Sequence, residues 1–374
     1  MIFTFYSYKG GVGRSMALAN IAELFYQAGL RVLIVDWDLE APGIEKYFEI
    51  NQTEILKSPG IIDMIIDYKE QMSKNSITSD SDKLLIKKPD YFAVDISPDD
   101  HEIGRLQLIT AGKRSESHVV EYAKNVLSFS WQEFIGKWDG EVYLEWIRQR
   151  FNDMADVVLI DSRTGICEIS GVCLFQLADV VVMLCSPCNQ SIEGTKEMIN
   201  FLNAEKSRRA RNLEILVIPS RVEDRAEIEQ LNNFHDLFIR TFQNCLPTSF
   251  PGNPENLWDL KIPHVPYYSF AESVAVRKKD DKKYAWSEEM RNAFKKLADV
   301  LAEISPSPNL FKNPIEYFAR NIENEIRDLT KDELLFLFKM IIEFGQGGSN
   351  PRFLQYNGGN KQYFKKFEDL NLLK

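Results

Sequence analysis

The stretch Ile2-Phe3-Thr4-Phe5-Tyr6-Ser7-Tyr8-Lys9-Gly10-Gly11-Val12-Gly13-Arg14-Ser15 decides the fold. Residues 2–7 form an apolar run of strand length, and Leu18, Ile21, Ala22 and Phe25 then recur at helical spacing up to Gly29, a helix stop. A glycine-rich loop therefore joins a strand to a helix. Glycines at 10, 11 and 13 let the backbone take positive φ, so successive N–H groups can converge while the helix N-terminus adds partial positive charge. A polyphosphate suits such a loop, and Ser15 stands where a hydroxyl can ligate a magnesium ion bridging terminal phosphates. A glycine turn without a ligand is the plainer alternative, but strand, loop and helix occur in the order that the motif requires.

In the common pattern G-x-x-x-x-G-K-S/T the first glycine falls at Tyr8 and the lysine at Arg14, and Lys9 stands early in the loop instead. This loop resembles that of the deviant P-loop ATPases of the ParA/MinD (partition and septum-placement) family, which reads K-G-G-V-G-K-S/T. The resemblance implies an ATP and Mg²⁺ site on Lys9, Gly10, Gly11, Val12, Gly13, Arg14, Ser15 and Met16. It also implies that Lys9 reaches across a nucleotide-sandwich homodimer to the other subunit's ATP. An arginine at 14 donates as a fork and does not act as a point charge, so binding is expected to survive and hydrolysis to be slow. With the run Asp36-Trp37-Asp38-Leu39-Glu40-Ala41-Pro42-Gly43, the chain is similar to a bacterial variant subgroup associated with phage-defence and genome-conflict operons.

That run follows a second apolar strand, residues 31–35, and brings two carboxylates to its carboxyl end, the edge where open parallel α/β sheets bind ligands. Alternation points Asp36 and Asp38 to one side, one to hold a water on Mg²⁺ and the other to orient the attacking water; a polar strand exit is the alternative. By resemblance Asp38 takes the hydrolytic role. A third apolar run, Val157 to Ile160, leads into Asp161-Ser162-Arg163-Thr164-Gly165. This matches the second metal motif of the resembling family, so Asp161 is expected on a Mg²⁺ water and the Gly165 N–H on the γ-phosphate, within a loop that follows nucleotide state. Arg163 stabilises transferring phosphoryl charge or forms a structural salt bridge.

Two further strands, 179–184 and 213–218, complete the sheet, the second ending in Pro219-Ser220-Arg221-Val222. In the resembling family the loop after this strand and a later proline-containing loop cradle adenine. Those are residues 219–222, with Pro219 and Arg221, and residues 262–266, with Pro266. The adenine-reading asparagine of that family is absent, and ATP is favoured over GTP on the resemblance alone. The expected fold is α/β, a mostly parallel doubly wound sheet flanked by helices, with a small helical C-terminal appendage.

A length of 374 residues and 44% hydrophobic content suit one large domain and an appendage. The ATPase domain is placed at 1–304, with an insertion at about 50–150, and the appendage at 305–374 after Ser305-Pro306-Ser307-Pro308. Within the insertion, residues 71–90 read as a polar loop, 106–110 as a core strand and 122–151 as an aromatic-rich helical segment carrying Trp131, Phe134, Trp138, Tyr143 and Trp146. Those aromatics serve the core or a partner surface. The last long ATPase helix is expected at 287–304, and Thr330 with Glu333 forms a capping box in the appendage. A final pattern of Tyr363, Phe364, Phe367, Leu370 and Leu373 suits a packed or partner-binding helix rather than a membrane anchor, given Glu368 and Asp369.

A net charge of −10 disfavours attraction of the whole chain to DNA or anionic lipid. Basic clusters at 206–211 and 277–283 leave DNA as a minor possibility, since the first closes a helix and Asp280-Asp281 interrupt the second. No leader precedes the first strand and no apolar run is of membrane length, so a cytoplasmic location is expected. The five cysteines fit a reducing compartment. Cys185 and Cys188 lack a second pair for an iron–sulfur or zinc site and read as small buried residues.

Three functions are weighed. One is an ATP-driven dimerising switch that signals to an unidentified partner through the appendage or the aromatic-rich insertion. Another is an ATP-holding regulatory module without useful turnover, because of Arg14. The last is a bacterial tyrosine kinase, disfavoured because only Tyr356 and Tyr363 lie near the tail.

Overall fold

The computed structural model describes residues 1–75, 86–98, 104–166, 171–205, 211–223, 227–277, 285–305 and 308–312. The chain divides into two units, Met1–Phe311 and Lys312–Lys374, and apart from Lys312 the described residues lie in the first. The expected appendage helices, most of both basic clusters and half of the polar 71–90 stretch lie outside the described residues.

Eight strands make one sheet: β1 (Ile2–Tyr6), β2 (Arg31–Asp36), β3 (Ala93–Asp95), β4 (Arg105–Ile109), β5 (Val157–Asp161), β6 (Val180–Cys185), β7 (Glu214–Val222) and β8 (Ile262–Pro263). Their order is β3-β4-β2-β5-β1-β6-β7-β8. All neighbours are parallel except β3, which pairs antiparallel with β4 at one edge. This is the mostly parallel α/β sheet expected. The central strands read as unbroken apolar runs because helices cover both faces, so no residue alternates out to water. Thr4, Asp36 and Asp161 are the buried polar exceptions in β1, β2 and β5.

The helices are α1 (Arg14–Gln27), α2 (Ile61–Asn75), α3 (Val119–Ser128), α4 (Trp131–Lys137), α5 (Gly140–Met154), α6 (Asn189–Glu205), α7 (Ile228–Phe242) and α8 (Ala285–Glu303), with shorter turns between them. Helix α1 ends where Gly29, at φ 91, lets the chain turn back into β2. Helix α4 starts at Ser130, whose hydroxyl accepts the Glu133 N–H at 3.1 Å.

Segment 50–150 supplies β3 and β4 of the main sheet together with α2 to α5. The aromatics of its 131–146 stretch are core. Trp131, Phe134 and Tyr143 are buried with Trp37, Ile61, Ile65, Ile147 and Phe151, while Trp138 and Trp146 pack at the margin. Tyr68 and Tyr143 stack at 3.8 Å, and their hydroxyls donate to the Trp138 and Met64 carbonyls. The large side chains this segment does expose are mainly aliphatic: Val120, Leu127 and Val142.

Two expectations need correction. Residues 71–75 are helical, not loop, because the apolar face of α2 continues to Met72, which packs on the core. Residues 219–222 do not form a loop after the seventh strand. β7 continues to Val222, since Ser220 and Val222 pair with Ile262 and Pro263 of β8 across an irregular register.

Candidate functional site

The strand order β2-β5-β1 sets three chain exits side by side. Asp36 is in register with Asp161 across β2 and β5, and Phe5 with Asp161 across β1 and β5. Beyond the ladder, the Trp37 N–H donates to the Asp161 carbonyl at 3.0 Å, which carries Asp38 to the same corner. The loop after β1 enters that corner from the other side.

Gly11 holds φ 71 and Gly13 φ 87, left-handed conformations that a side chain would strain. Gly13 caps α1, and its carbonyl accepts the Ala17 N–H at 2.9 Å. Gly10 and Gly11 are exposed, and open space surrounds both Cα positions. Val12 and Met16 are buried, with Met16 Cε 3.8 Å from where a Cβ on Gly13 would lie. Ser7 Oγ donates to the Lys9 carbonyl at 2.8 Å, and among the described residues the Lys9 ammonium makes no ion pair. Tyr8, at the position of the usual first glycine, lays its ring on α6, where a Cβ on Gly194 would come within 2.3 Å of it.

Arg14 does not point along the loop. Its Nε donates to Asp161 Oδ1 at 2.5 Å and its Nη2 to Asp38 Oδ2 at 2.8 Å, while Ser15 Oγ donates to Asp161 Oδ2 at 2.6 Å. Arg14 is 7% exposed, and its Nη1 is buried without a hydrogen-bond partner among the described residues. Burial acts to lower the Arg14 pKa, but Asp161 and Asp38 outweigh it and the net shift is upward. Burial pushes Asp161 up while Arg14 and the Ser15 hydroxyl draw it back.

Asp36 is fully buried. Its oxygens accept the backbone N–H groups of Asp38 and Gly43, both at 3.2 Å. Desolvation, reinforced by Asp161, raises its pKa to about 8. Among the described residues no group of three or more acidic, histidine or cysteine side chains is arranged to hold a metal ion. The oxygens of Asp38 and Asp161 are engaged by Arg14, Ser15 and the Ala41 N–H. The donor chemistry nonetheless suits a hard cation, because Ser15 Oγ and a carboxylate oxygen of Asp161 are already 2.6 Å apart beside the loop.

Gly165, at φ 71, donates its N–H to the Ser7 carbonyl at 3.3 Å, so its loop lies against the start of the glycine loop. Arg163 is paired with Glu40, which ties that loop to the run after Asp38. Of the expected base-side residues, Pro219 is buried inside β7 opposite Cys185 and is not presented by a loop. Pro266 is exposed at the start of a helical turn, Tyr267–Phe270. Arg221 donates to the Gly11 carbonyl and reaches His264, and Ser220 Oγ donates to the Val12 carbonyl at 2.7 Å. Sequence reasoning did not single out Ser220, His264, Glu223 or Gly194, because their roles rest on contacts between distant parts of the chain. Cys185 is buried, with its thiol pushed up to about 11 by desolvation.

Residues 3–246 match the CobQ/CobB/MinD/ParA nucleotide binding domain family. The chain belongs to this family. Among solved structures, an ATP complex of a variant of Cyanothece McdA aligns over 80% of this chain and 95% of its own, with 14% identity and a TM-score of 0.52. The Pyrococcus furiosus cell division ATPase MinD aligns over 81% of this chain and 99% of its own, with 15% identity and a TM-score of 0.50. At this identity the likeness is one of fold. No curated protein sequence matches the chain. Among the described residues no helix is long and apolar enough to cross a membrane.

Proposed function

We propose that this protein is an ATP- and Mg²⁺-dependent dimerising switch with slow hydrolysis, which passes its nucleotide state to a protein partner. The observation that carries the reading is the meeting of a left-handed glycine loop at the N-terminus of α1 with Arg14, Ser15, Asp38 and Asp161 at one sheet corner. Loop N–H groups and the helix end hold the terminal phosphates. Magnesium, when bound, neutralises phosphate charge. Ser15 and Asp161 are the residues to hold it, and Asp38 orients the attacking water and takes its proton. Asp36 supports Asp38 from beneath by accepting its N–H. Lys9, whose ammonium makes no ion pair among the described residues, reaches the nucleotide of the second subunit. The loop from Arg163 to Gly165, resting on Ser7 and Glu40, is the element that reports nucleotide state. A role in phage defence is the biological setting that the loop's resemblance suggests.

Size-exclusion chromatography with light scattering tests this on wild type, Lys9→Ala and Asp38→Ala, with and without ATP and Mg²⁺. ATP is expected to produce a dimer, Lys9→Ala to abolish it and Asp38→Ala to prolong it. A wild type indifferent to nucleotide defeats the switch.

One observation favours a second reading. Arg14 already engages both Asp38 and Asp161, so a protein that kept this contact with nucleotide bound would hold ATP without turning it over. Steady-state phosphate release separates the two readings. Turnover that rises in Arg14→Lys marks a tuned ATPase, and none in either protein marks a binding module.

A further inference from the structure

Two side chains at the end of β7 hold the carbonyls of the phosphate loop. Ser220 Oγ donates to the Val12 carbonyl at 2.7 Å, and Arg221 Nη1 donates to the Gly11 carbonyl. Arg221 sits at the irregular register between Ser220 and Val222 with φ 57, a conformation that a long side chain adopts only where its surroundings enforce it. Its Nη2 lies 2.9 Å from His264 Nε2, and His264 Nδ1 lies 3.4 Å from Glu223 Oε2. A guanidinium only donates, so His264 Nε2 is the acceptor and the ring proton is on Nδ1, facing Glu223. Glu223, His264 and Arg221 thus form a chain that ends on the loop backbone.

In a trans peptide the C=O and N–H point in opposite directions. Anchoring the carbonyls of Gly11 and Val12 to β7 therefore turns the N–H groups of Val12 and Gly13 away from β7. The positive φ values of Gly11 and Gly13 let consecutive N–H groups line one concavity. We propose that Ser220 and Arg221, the latter steadied by His264 and Glu223, are positioning residues that preset the phosphate loop for the terminal phosphates of a nucleotide. This rests on the phosphate-binding reading above and gives Arg221 work on the loop in place of the base.

Isothermal titration of ATP with Mg²⁺ tests it, with the amide NMR signals of Val12 and Gly13 as a second readout. Ser220→Ala is expected to weaken binding about three- to tenfold and Arg221→Ala about tenfold or more, the effect of one lost hydrogen bond and of a charged one. His264→Lys is the deciding variant, because it adds positive charge near the loop but removes the acceptor that steadies Arg221. Positioning predicts about threefold or more weaker binding and shifted Val12 and Gly13 amides, with both rescued by His264→Gln, which keeps an acceptor and a donor. Tighter or unchanged binding in His264→Lys overturns the proposal, as does wild-type affinity in Ser220→Ala and Arg221→Ala together. If Arg221→Ala fails to fold, the two His264 variants decide alone. A wild type that binds inorganic pyrophosphate but not ATP sinks the ATP reading while the same variants still test this one, and a wild type that binds neither overturns both.

Discussion

Arg14 and Asp38 form a buried ion pair, with Nη2 donating to Oδ2 at 2.8 Å, and the same guanidinium holds Asp161 through Nε. The residue at the usual lysine position therefore fastens the two strand-end carboxylates together. A lysine ammonium, a compact donor without a planar fork, does not reproduce this geometry. The forked donor explains how three charged groups share a corner from which water is excluded.

Arg14→Ala leaves Asp38 and Asp161 buried without their countercharge. Removing one member of a buried pair costs about 3–5 kcal/mol, so urea unfolding without nucleotide should show a loss of that order. Arg14→Lys should recover only part of it. A loss below about 1 kcal/mol would mean that the pair behaves as a surface contact.

Asp36 gives stability a pH dependence. Its folded pKa is raised to about 8 from an ordinary 3.8, so between those values the folded state binds the extra proton. Its contribution is full below the unfolded value and is lost as pH rises through the folded one. In metal-free and nucleotide-free buffer, wild type should lose stability from pH 6 to 9, and Asp36→Asn should flatten that slope. At the acid end of this range the variant is about 1 kcal/mol less stable, because an amide offers one acceptor oxygen to two N–H donors, and the difference narrows as pH rises. Equal slopes in the two proteins would contradict the assignment.

Tyr8 and Gly194 are predicted to be coupled. A Cβ at 194 would lie 2.3 Å from the Tyr8 ring, so Gly194→Ala should cost about 1–3 kcal/mol through overpacking next to the loop. Tyr8→Ala in the same chain should relieve most of that cost. Additive losses in the double-mutant cycle would show that the ring does not need the glycine.

Arg163 and Glu40 form an ion pair in which both side chains are about a third exposed, which is worth about 0–1 kcal/mol. Arg163→Ala should therefore barely move thermal unfolding. If phosphate release falls about tenfold or more in the same variant, Arg163 acts on phosphoryl charge, and if release is unchanged the pair is structural.

Much of the fold was legible because its signals are local. Residues 2–6 and 157–160 are mostly apolar runs of strand length ending at polar turns, and Leu18, Ile21, Ala22 and Phe25 mark α1. The extension of β7 to Val222 was not legible, since the strand passes Pro219 opposite Cys185 of β6 and then carries a left-handed Arg221 between two residues paired with β8. The aromatics of 131–146 left core and partner surface both open on paper. Burial against Ile61, Ile65 and Trp37, from distant parts of the chain, makes them core.

By itself, the sequence determined the strand–loop–helix at the amino end, the identities of Lys9, Arg14 and Ser15 within it, and the carboxylates waiting at two later strand ends. These follow from residue type and short spacing, which chain connectivity carries directly. Only the tertiary structure decided that Arg14 turns onto Asp38 and Asp161, that burial raises the Asp36 pKa, and that Ser220 and Arg221 grip the loop from behind. Each of these depends on which strands become neighbours and how much water their ends exclude. Both are properties of the assembled sheet and not of any single stretch of chain.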